Sequence, residues 1–291
     1  MIRLAVTGQN GQVATALAER AALLEGFEVV RLGRPALDLE QPETVGAAII
    51  AARPDVVVNA AAYTAVDKAE AEPDRAFAAN RDGAGAAAAA AQALGVPFIH
   101  LSTDYVYPGD KPSPYVEGDA TGPLGVYGQS KLAGEVAVKA AHAAPVILRT
   151  SWVYSPFGAN FVRTMLRLGK EREVLRVVDD QQGNPTSAID IADGILRIAP
   201  MIRADRTGGT FHFCGEGSTT WCGFARFIFE TAGALGGPHP RVEAITTADF
   251  PTPARRPSNS RMETTAFRSR FGFVQRPWQD AAVETVARLL A

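Results

Sequence analysis

Cysteine and histidine are scarce in this chain, and neither occurs in a pattern that binds metal. The 291 residues include only two cysteines, Cys214 and Cys222, without CxxC spacing, and the four histidines form no HxxxH pair. A disulfide framework and a zinc site both require such spacings, so we predict neither and expect no metal site. Both thiols are expected to be reduced and to pack in the core.

An excess of charge and a long apolar run are also missing. With 29 basic and 31 acidic residues, the formal net charge is −2. No charged surface is therefore expected to attract nucleic acid or an anionic membrane, and a small-molecule ligand is favoured. The opening MIRLAVTG is too short for a signal sequence or a spanning helix. We expect a cytoplasmic globular protein with no nucleic-acid or membrane partner.

Short strand-like runs alternate with helical segments through the first half of the chain. The runs are IRLAVTG, FEVVRL, DVVVNA, PFIHLS and PVILRT, separated by alanine-rich or amphipathic segments. Continuous apolar strands between helices are typical of a parallel sheet covered on both faces. The segment GAGAAAAAAQALG at 83–95 fits a crossover helix, because alanine is the strongest helix former. We predict an α/β fold with a doubly wound parallel sheet of the Rossmann type in residues 1–152.

The alternation weakens after about residue 152. Segments rich in glycine and proline, such as DDQQGNP, GGPHP and PTPARRP, interrupt it. This indicates a smaller, loop-rich second domain. Loops beside a rigid nucleotide-binding sheet commonly carry substrate recognition. We therefore predict that residues 153–291 mainly bind substrate, and that some of their segments can return to the sheet.

A glycine turn follows the first strand. In VTGQNGQVA, Gly8 and Gly11 would form a tight turn that lets a pyrophosphate reach the amino terminus of the next helix. The third small position is Ala14. An ordinary glycine-rich turn is the alternative, and the position at the first strand of the series favours a nucleotide site.

The second strand ends without the carboxylate that binds a ribose 2′-hydroxyl in many NAD-binding sheets. Gly33 and Arg34 follow it, so Arg34 or Arg31 is a candidate for a 2′-phosphate. Solvated arginines are an equally good alternative. Asp38 is a candidate for the adenine amino group, or for the N-cap of a helix beginning near Gln41. We predict NADPH or NADH as the cofactor.

Small and polar residues follow the next two strands. The segment NAAAYT permits close approach of a cofactor, and STDYVY brings Thr103, Asp104 and Tyr105 to the same sheet edge, although these types also form turns and caps. In VYGQSKLAGE, Tyr127 and Lys131 lie four residues apart and would share one helix face. A surface pair is the alternative, but the grouping around one cleft favours chemistry.

Together these motifs resemble the extended short-chain dehydrogenase/reductase family over nearly the whole chain. Within that family, VTGQNGQV, NAAAYTAVDKAE, LSTDYVYPG, YGQSKLAGE, RTSWVY and RRPSNSRM are similar to the dTDP-4-dehydrorhamnose reductases. Two residues depart from the family pattern: Ala14 replaces a glycine, and Tyr107 stands where phenylalanine is frequent. Neither departure removes a reacting group.

The resemblance implies reduction of a dTDP-sugar, dTDP-4-dehydro-6-deoxy-L-mannose, with NADPH or NADH. The implied catalytic residues are Thr103, Tyr127 and Lys131. The implied substrate-binding residues are Thr103, Asp104, Trp152, Arg255, Arg256 and Asn259, of which the last three belong to a closing stretch, Arg255–Arg261. The expected cofactor-binding residues are Gly8, Asn10, Gly11, Gln12, Val13, Arg34, Asp38, Leu39, Ala61, Ala62, Tyr63, Tyr127 and Lys131.

In this chemistry Tyr127 would give a proton to the sugar C4 oxygen, Thr103 would hydrogen-bond that oxygen, and Lys131 would also hold the nicotinamide ribose. We expect Lys131 and a nearby oxidised nicotinamide to lower the pKa of the phenol from about 10. Two other functions stay open: a nucleotide-sugar epimerase or dehydratase, and a non-catalytic regulatory subunit of the kind that partners methionine adenosyltransferase. A monomer and a homodimer are both compatible with the sequence.

Overall fold

Strands and helices alternate through the first 150 residues of the computed structural model, which describes residues 1–291. The strands are β1 (Ile2–Thr7), β2 (Phe27–Leu32), β3 (Val56–Asn59), β4 (Phe98–Thr103), β5 (Val146–Thr150), β6 (Val153–Tyr154), β7 (Val174–Val178), β8 (Gln182–Gly183), β9 (Thr186–Ser187), β10 (Gly209–His212), β11 (Thr219–Thr220) and β12 (Arg241–Ile245). The helices are α1 (Gln12–Ala22), α2 (Pro42–Ala52), α3 (Val66–Ala69), α4 (Pro73–Phe77), α5 (Ala84–Ala93), α6 (Val126–Ala141), α7 (Phe161–Glu171), α8 (Ala188–Asp205), α9 (Trp221–Ala234), α10 (Thr265–Phe271) and α11 (Trp278–Leu290).

Six strands form the central sheet in the spatial order β10-β5-β4-β3-β1-β2. Every neighbouring pair is parallel. The α/β fold and the five strands expected from the sequence are therefore confirmed. The order of the strands reverses between β1 and β3, and such a reversal leaves a crevice beyond the carboxyl ends of the strands where ligands commonly bind.

Helices cover both faces of this sheet. On one face, α1 and α8 pack over Leu4, Val6 and Leu148, and on the other, α2, α5 and α6 pack over Val57 and Ile147. The alanine-rich segment is α5, as predicted, and a π-helical turn at Ala78–Gly83 joins it to α4. The helices touch closely there: a Cβ at Gly134 on α6 would lie 2.0 Å from the Asn80 carbonyl oxygen, so only glycine fits.

The later part of the chain contributes to two places. Residues 188–212 supply α8 and the edge strand β10 to the central sheet. By contrast, α7, α9 and α11 surround a separate apolar cluster together with β7, which pairs in parallel with β12. Short strand pairs, β8 with β11 and β6 with β9, join this region to the sheet edge.

Two further features are the state of the cysteines and the character of the helices. Both cysteines are free and buried, as the sequence predicted. None of the helices is both long enough and apolar enough to span a bilayer.

Candidate active site

A cleft of about 450 Å³ lies where the strand order reverses. The predicted cofactor residues that line it are Gly8, Asn10, Arg34, Asp38, Leu39, Ala61, Ala62 and Tyr63. Lining residues that sequence reasoning missed are Gln9, Gly33, Leu37, Glu40, Thr64, Ala65 and Ala79. Gln9 and Gly33 lie within two residues of a strand end and could have been found by counting onward from it, whereas the others lie further along the loops or, like Ala79, in the π-helical turn.

The backbone around this cleft fits a dinucleotide. Gly8 has a left-handed φ of 98°, and a Cβ there would lie 3.3 Å from the Ala61 Cβ, so glycine keeps β1 and β3 close at their ends. Helix α1 begins after Gly11, which provides no side-chain cap, and its first turn holds no acidic residue. The free amides of that turn therefore suit the pyrophosphate of a dinucleotide.

Five predicted cofactor residues lie outside the lining of the cleft: Tyr127 and Lys131 on α6, and Gly11, Gln12 and Val13 at the start of α1. The Val13 side chain is buried in the core under α1. The Gln12 amide oxygen accepts a hydrogen bond of 2.7 Å from the Ser155 hydroxyl, and its nitrogen donates to the Val153 carbonyl. The side chains of Gln12 and Val13 thus join α1 to its surroundings, and these residues would offer a cofactor only their backbone amides.

The outer part of the cleft carries a group of exposed charges. Arg34 donates to Asp38 at 2.7 Å and to Glu40 at 2.8 Å, and 62% of its side chain is exposed. Hydrogen bonding by Arg34 lowers the pKa of the Asp38 carboxyl. Asp38 does not cap α2, since Gln41 occupies the N-cap position, so that alternative is wrong. Arg31 donates instead to the Gln9 carbonyl.

Helix α6 carries Tyr127 in its first turn and Lys131 one turn later, as the spacing predicted. The Lys131 ammonium is buried and donates to the Leu101 carbonyl at 2.7 Å. Burial lowers the pKa of Lys131 to about 8, although Glu135 on the next turn raises it. The Tyr127 ring meets the Tyr105 ring edge to face, with centroids 5.5 Å apart.

In the chain alone, Lys131 does not lower the pKa of Tyr127 as expected. Burial raises the pKa of the phenol to about 12, the Thr103 hydroxyl opposes this rise, and the negative charge of Asp104 adds to it. The ammonium of Lys131 points to a carbonyl, so its charge does not outweigh the loss of solvent around the phenol. Tyr127 is therefore held in its protonated form at neutral pH.

Thr103 and Asp104 lie beside this phenol at the end of β4. The Thr103 hydroxyl donates to Asp104 at 3.0 Å and accepts from the Tyr105 amide, so it also caps the following 3₁₀ turn, Asp104–Val106. The other oxygen of Asp104 is buried and has no hydrogen-bond partner. Burial raises the pKa of Asp104 to about 6, against the effects of Ser260 and Thr103. An unpartnered buried oxygen suits a ligand hydroxyl.

A buried ion pair supports α6 from behind. The Glu135 carboxylate receives two hydrogen bonds from Arg149, at 2.7 and 2.9 Å, and one of 2.6 Å from Ser102. Arg149 also donates to the Tyr107 hydroxyl, whose oxygen lies 2.6 Å from His212 Nε2. Sequence reasoning missed this group. The available signals were an arginine inside the apolar strand VILRT and a glutamate four residues after Lys131.

The residues predicted to bind substrate are only partly brought together. Arg256 forms an ion pair of 2.8 Å with Asp67 and lies beside the Tyr105 hydroxyl, whereas Arg255 is exposed. The Asn259 amide is already used: its nitrogen donates to the Ser113 carbonyl at 3.0 Å, and its oxygen accepts from Arg261. Asn259 thus joins two loops, and its side chain is not free for a ligand.

Comparison with known proteins agrees with this arrangement. The family model described as the RmlD substrate binding domain matches residues 2–291. A dTDP-4-dehydrorhamnose reductase of Sinorhizobium fredii is 49% identical over 292 residues, covering 99% of this chain and 98% of its own length. One of Burkholderia thailandensis is 44% identical over the full length of both chains.

A solved structure gives the same result. The dTDP-4-dehydrorhamnose reductase of Bacillus anthracis, crystallised in complex with NADP, has a TM-score of 0.90 and 36% identity, covering 98% of this chain and 99% of that one. The reductase of Clostridium acetobutylicum has a TM-score of 0.92 and 35% identity over the full length of both chains. The chain therefore belongs to the dTDP-4-dehydrorhamnose reductase family.

Proposed function

We propose that this chain reduces dTDP-4-dehydro-6-deoxy-L-mannose to dTDP-L-rhamnose, the last step of dTDP-L-rhamnose synthesis, with NADPH or NADH. One observation carries the proposal: in a chain that belongs to this reductase family, Tyr127 and Lys131 on α6 lie with Thr103 and Asp104 at the end of β4. A 4-ketone needs a proton at its oxygen when hydride reaches its carbon, and this group supplies one.

The cofactor is assigned to the cleft between β1 and β3. Gly8 and the free first turn of α1 would receive the pyrophosphate, and Ala61 and Ala62 would leave room for the chain of the dinucleotide. Reduced nicotinamide would supply the hydride. Arg34, Asp38 and Tyr63 line the part of the cleft assigned to the adenosine.

Tyr127 acts as the general acid. A tyrosine phenol is protonated at neutral pH, and Tyr127 would release its proton as negative charge develops on the C4 oxygen. The Thr103 hydroxyl, which donates to Asp104 in the structure, would turn its one proton to the same oxygen. The Lys131 ammonium, one turn away, would hold the nicotinamide ribose when the cofactor binds and would stabilise the phenolate after proton transfer.

Substrate recognition is assigned mainly to the later part of the chain. Residues 1–152 would bind the cofactor and residues 153–291 mainly the sugar nucleotide, with 188–212 returning to the sheet. Asp104, Trp152, Arg255 and Arg256 would meet the dTDP-sugar. Asn259 acts indirectly, since its amide holds the closing stretch. A cytoplasmic location and a monomer or homodimer stay predictions.

The test is a spectrophotometric assay with NADPH and freshly prepared dTDP-4-dehydro-6-deoxy-L-mannose. We expect stoichiometric loss of absorbance at the reduced-nicotinamide band, and no loss with dTDP-glucose, which has no ketone. A purified protein that carries tightly bound NAD and interconverts sugars without net oxidation would refute the proposal and favour an epimerase. A protein that binds NADPH but leaves the ketosugar unchanged would favour a regulatory subunit.

A further inference from the structure

Trp152 has an unusual backbone conformation. It lies between β5 and β6 with a left-handed φ of 47°, one of only three non-glycine residues with positive φ in the chain. This region is unfavourable for a bulky side chain, so the surroundings must hold the residue there. The Trp152 carbonyl accepts a hydrogen bond from the Thr186 amide, which fixes the peptide on one side.

Trp221 covers one face of the Trp152 indole. The two ring centroids are 3.6 Å apart and the planes differ by 9°, which is a nearly parallel stack. Trp221 is the first residue of α9 and directly follows β11, which pairs with β8 so that Thr219 lies opposite Gly183. Phe161 packs on Trp221 at 4.7 Å and supports the stack from outside.

Gly183 covers the other face. A Cβ at Gly183 would lie 2.4 Å from Cε2 of Trp152 and 2.7 Å from each of its bonded neighbours, Nε1 and Cζ2. That pattern arises when an atom approaches a ring from above, and the parallel indole of Trp221 already fills the opposite side. Since Gly183 does not have a positive φ, this close approach is what requires glycine there.

The strand that carries Gly183 also holds the closing stretch. The Gln182 amide donates to the Ser258 carbonyl at 2.8 Å, and the Ser260 amide donates back to the Gln182 carbonyl at 2.7 Å. The Ser260 hydroxyl also donates to the Gln182 carbonyl, and Ser260 lies close enough to Asp104 to oppose the rise of its pKa. The two residues of β8 therefore connect the indole stack to the carboxylate beside Tyr127.

We propose that Gly183 and Trp221 are positioning residues. They clamp the Trp152 indole between them, so that the edge of the indole faces the dTDP-sugar. Both faces of the indole are covered, so Trp152 recognises the sugar nucleotide with its edge and its N–H donor rather than by stacking. The proposal rests on the proposed function and adds two specificity-determining residues to it.

The first test compares Trp221→Ala with Trp221→Phe. Phenylalanine keeps a flat ring against Trp152, so kcat/KM for the ketosugar should stay within about threefold of wild type. Alanine opens one face, and kcat/KM should fall on the order of 10–100-fold through a higher KM, because small misplacements of a positioning group are costly. NADPH binding, followed by fluorescence, should be unchanged in both. Unchanged kcat/KM in Trp221→Ala, or an equal loss of NADPH affinity, overturns the proposal.

Circular dichroism gives a readout that is independent of turnover. Two stacked indoles couple and produce a split band, which both Trp221 variants should abolish. Trp278→Phe is the control, because Trp278 packs against Phe224 and Phe227 away from the stack. A split band that survives in Trp221→Phe would show that the stack is absent in solution and overturn the proposal.

The second test is Gly183→Ala, with Gly46→Ala as the matched control. A Cβ at Gly46, on α2, meets nothing within 4 Å. Gly183→Ala should push the indole aside, weaken the split band and lower kcat/KM as Trp221→Ala does, whereas Gly46→Ala should do neither. If Gly183→Ala does not fold, the comparison of Trp221→Ala with Trp221→Phe tests the proposal alone.

Failure of the proposed function can be distinguished from failure of the proposal about Trp152. Binding of dTDP-L-rhamnose is titrated by the quenching of tryptophan fluorescence in wild type and in both Trp221 variants. A wild type that binds this nucleotide without turnover refutes the proposed function, and the weaker binding expected only of Trp221→Ala still supports the clamp. A wild type that does not bind it overturns both.

Discussion

The two ends of the site are built from the same charged residue types in opposite surroundings. The inner end is buried and comprises Thr103, Asp104, Tyr127 and Lys131 with the supporting pair Glu135 and Arg149. The outer end is exposed and comprises Arg34, Asp38, Glu40 and Arg75. The side chain of Arg149 is 5% exposed, whereas those of Arg34 and Arg75 are 62% and 53% exposed.

This difference in burial decides what each ion pair does. An exposed pair contributes about 0–1 kcal/mol, since water and salt screen it. Breaking a buried pair costs about 3–5 kcal/mol, because one charge remains without solvent or partner. The inner end is therefore rigid and fixes protonation states, while the outer end can rearrange around different adenosine groups. Substitutions should have large effects at the inner end and small ones at the outer end.

The largest effect is expected from Tyr127→Phe. Phenylalanine keeps the ring and its packing on Tyr105 but has no proton for the C4 oxygen. Turnover should fall by about 10²–10⁴-fold, the usual contribution of general acid catalysis, with NADPH binding and thermal unfolding nearly unchanged. The measurements are ketosugar reduction by absorbance and NADPH binding by fluorescence. A variant that retains more than roughly a tenth of wild-type turnover would show that the pair of Tyr127 and Lys131 is structural.

Lys131→Ala separates the two roles given to the lysine. It should weaken NADPH binding as well as the rate, because the ammonium is assigned to the ribose and to the phenolate. If Lys131→Ala binds NADPH as tightly as wild type does, Lys131 does not hold the nicotinamide ribose.

The next effect concerns stability. Arg149→Met leaves the Glu135 carboxylate buried without its main partner, so the free energy of unfolding should fall by about 3–5 kcal/mol at neutral pH, as measured in urea. Combining it with Glu135→Gln removes the stranded charge and should restore part of the loss. If Arg149→Met alone lowers the free energy of unfolding by less than about 1 kcal/mol, the pair contributes no more than an exposed pair. The difference drawn between the inner and outer ends would then be wrong.

The raised pKa of Asp104 predicts that its contribution to the stability of the fold changes with pH in the opposite direction to that of most carboxylates. Its pKa is raised to about 6 from 3.8, so its ionisation opposes folding. The stability that it contributes is present below about pH 4 and is lost as the pH rises through about 6. Asp104→Asn cannot ionise, and should exceed wild type in stability by on the order of 1–3 kcal/mol above pH 6 but not at pH 4.

Urea unfolding at several pH values between 4 and 7.5 checks this prediction. Asp119→Asn is the control, because Lys111 lowers the pKa of the Asp119 carboxyl. That variant should be less stable than wild type by a nearly constant amount above about pH 5, because the contribution of Asp119 is already complete above its unfolded pKa of 3.8. Parallel pH profiles for wild type and Asp104→Asn would mean that Asp104 is solvated in solution.

Local pattern was enough to predict five of the six strands of the central sheet, all but the edge strand β10. The five apolar runs became β1 to β5, and residues such as Gly8, Ala61 and Tyr63 reach the cleft because they follow those strands directly. The helical spacing of Tyr127 and Lys131 was equally local. In each case the position follows from neighbours in the chain and from the geometry of parallel strands.

Contacts between distant segments could not be predicted in this way. The stack joins Trp152, between β5 and β6, to Trp221, the first residue of α9. The Asn259 amide, expected to bind substrate, instead donates to the carbonyl of Ser113, which is distant in sequence. The effect expected of Lys131 on the Tyr127 pKa is absent from the chain alone for the same reason. Desolvation depends on the whole fold around the phenol, whereas the sequence shows only that a lysine lies four residues away.

The smallest effect is expected at the outer end, from Arg34→Ala. The variant removes the cation between Asp38 and Glu40, so kcat/KM with NADPH should fall by roughly tenfold or less, about 1.4 kcal/mol, while kcat/KM with NADH should change little. The fall should shrink further as ionic strength rises, because salt screens an exposed charge. Steady-state kinetics with both coenzymes at low and high salt measure it.

Arg167→Ala is a closely matched control for Arg34→Ala. Arg167 is also 62% exposed and also pairs with a carboxylate four residues on, Glu171, but it lies on α7 away from the cleft. Equal, small effects of the two variants on both coenzymes would show that Arg34 does not contact the 2′-phosphate. A loss with NADPH in Arg34→Ala that persists undiminished at high salt would mean that the arginine is desolvated when the coenzyme binds, and that the outer end becomes as enclosed as the inner one.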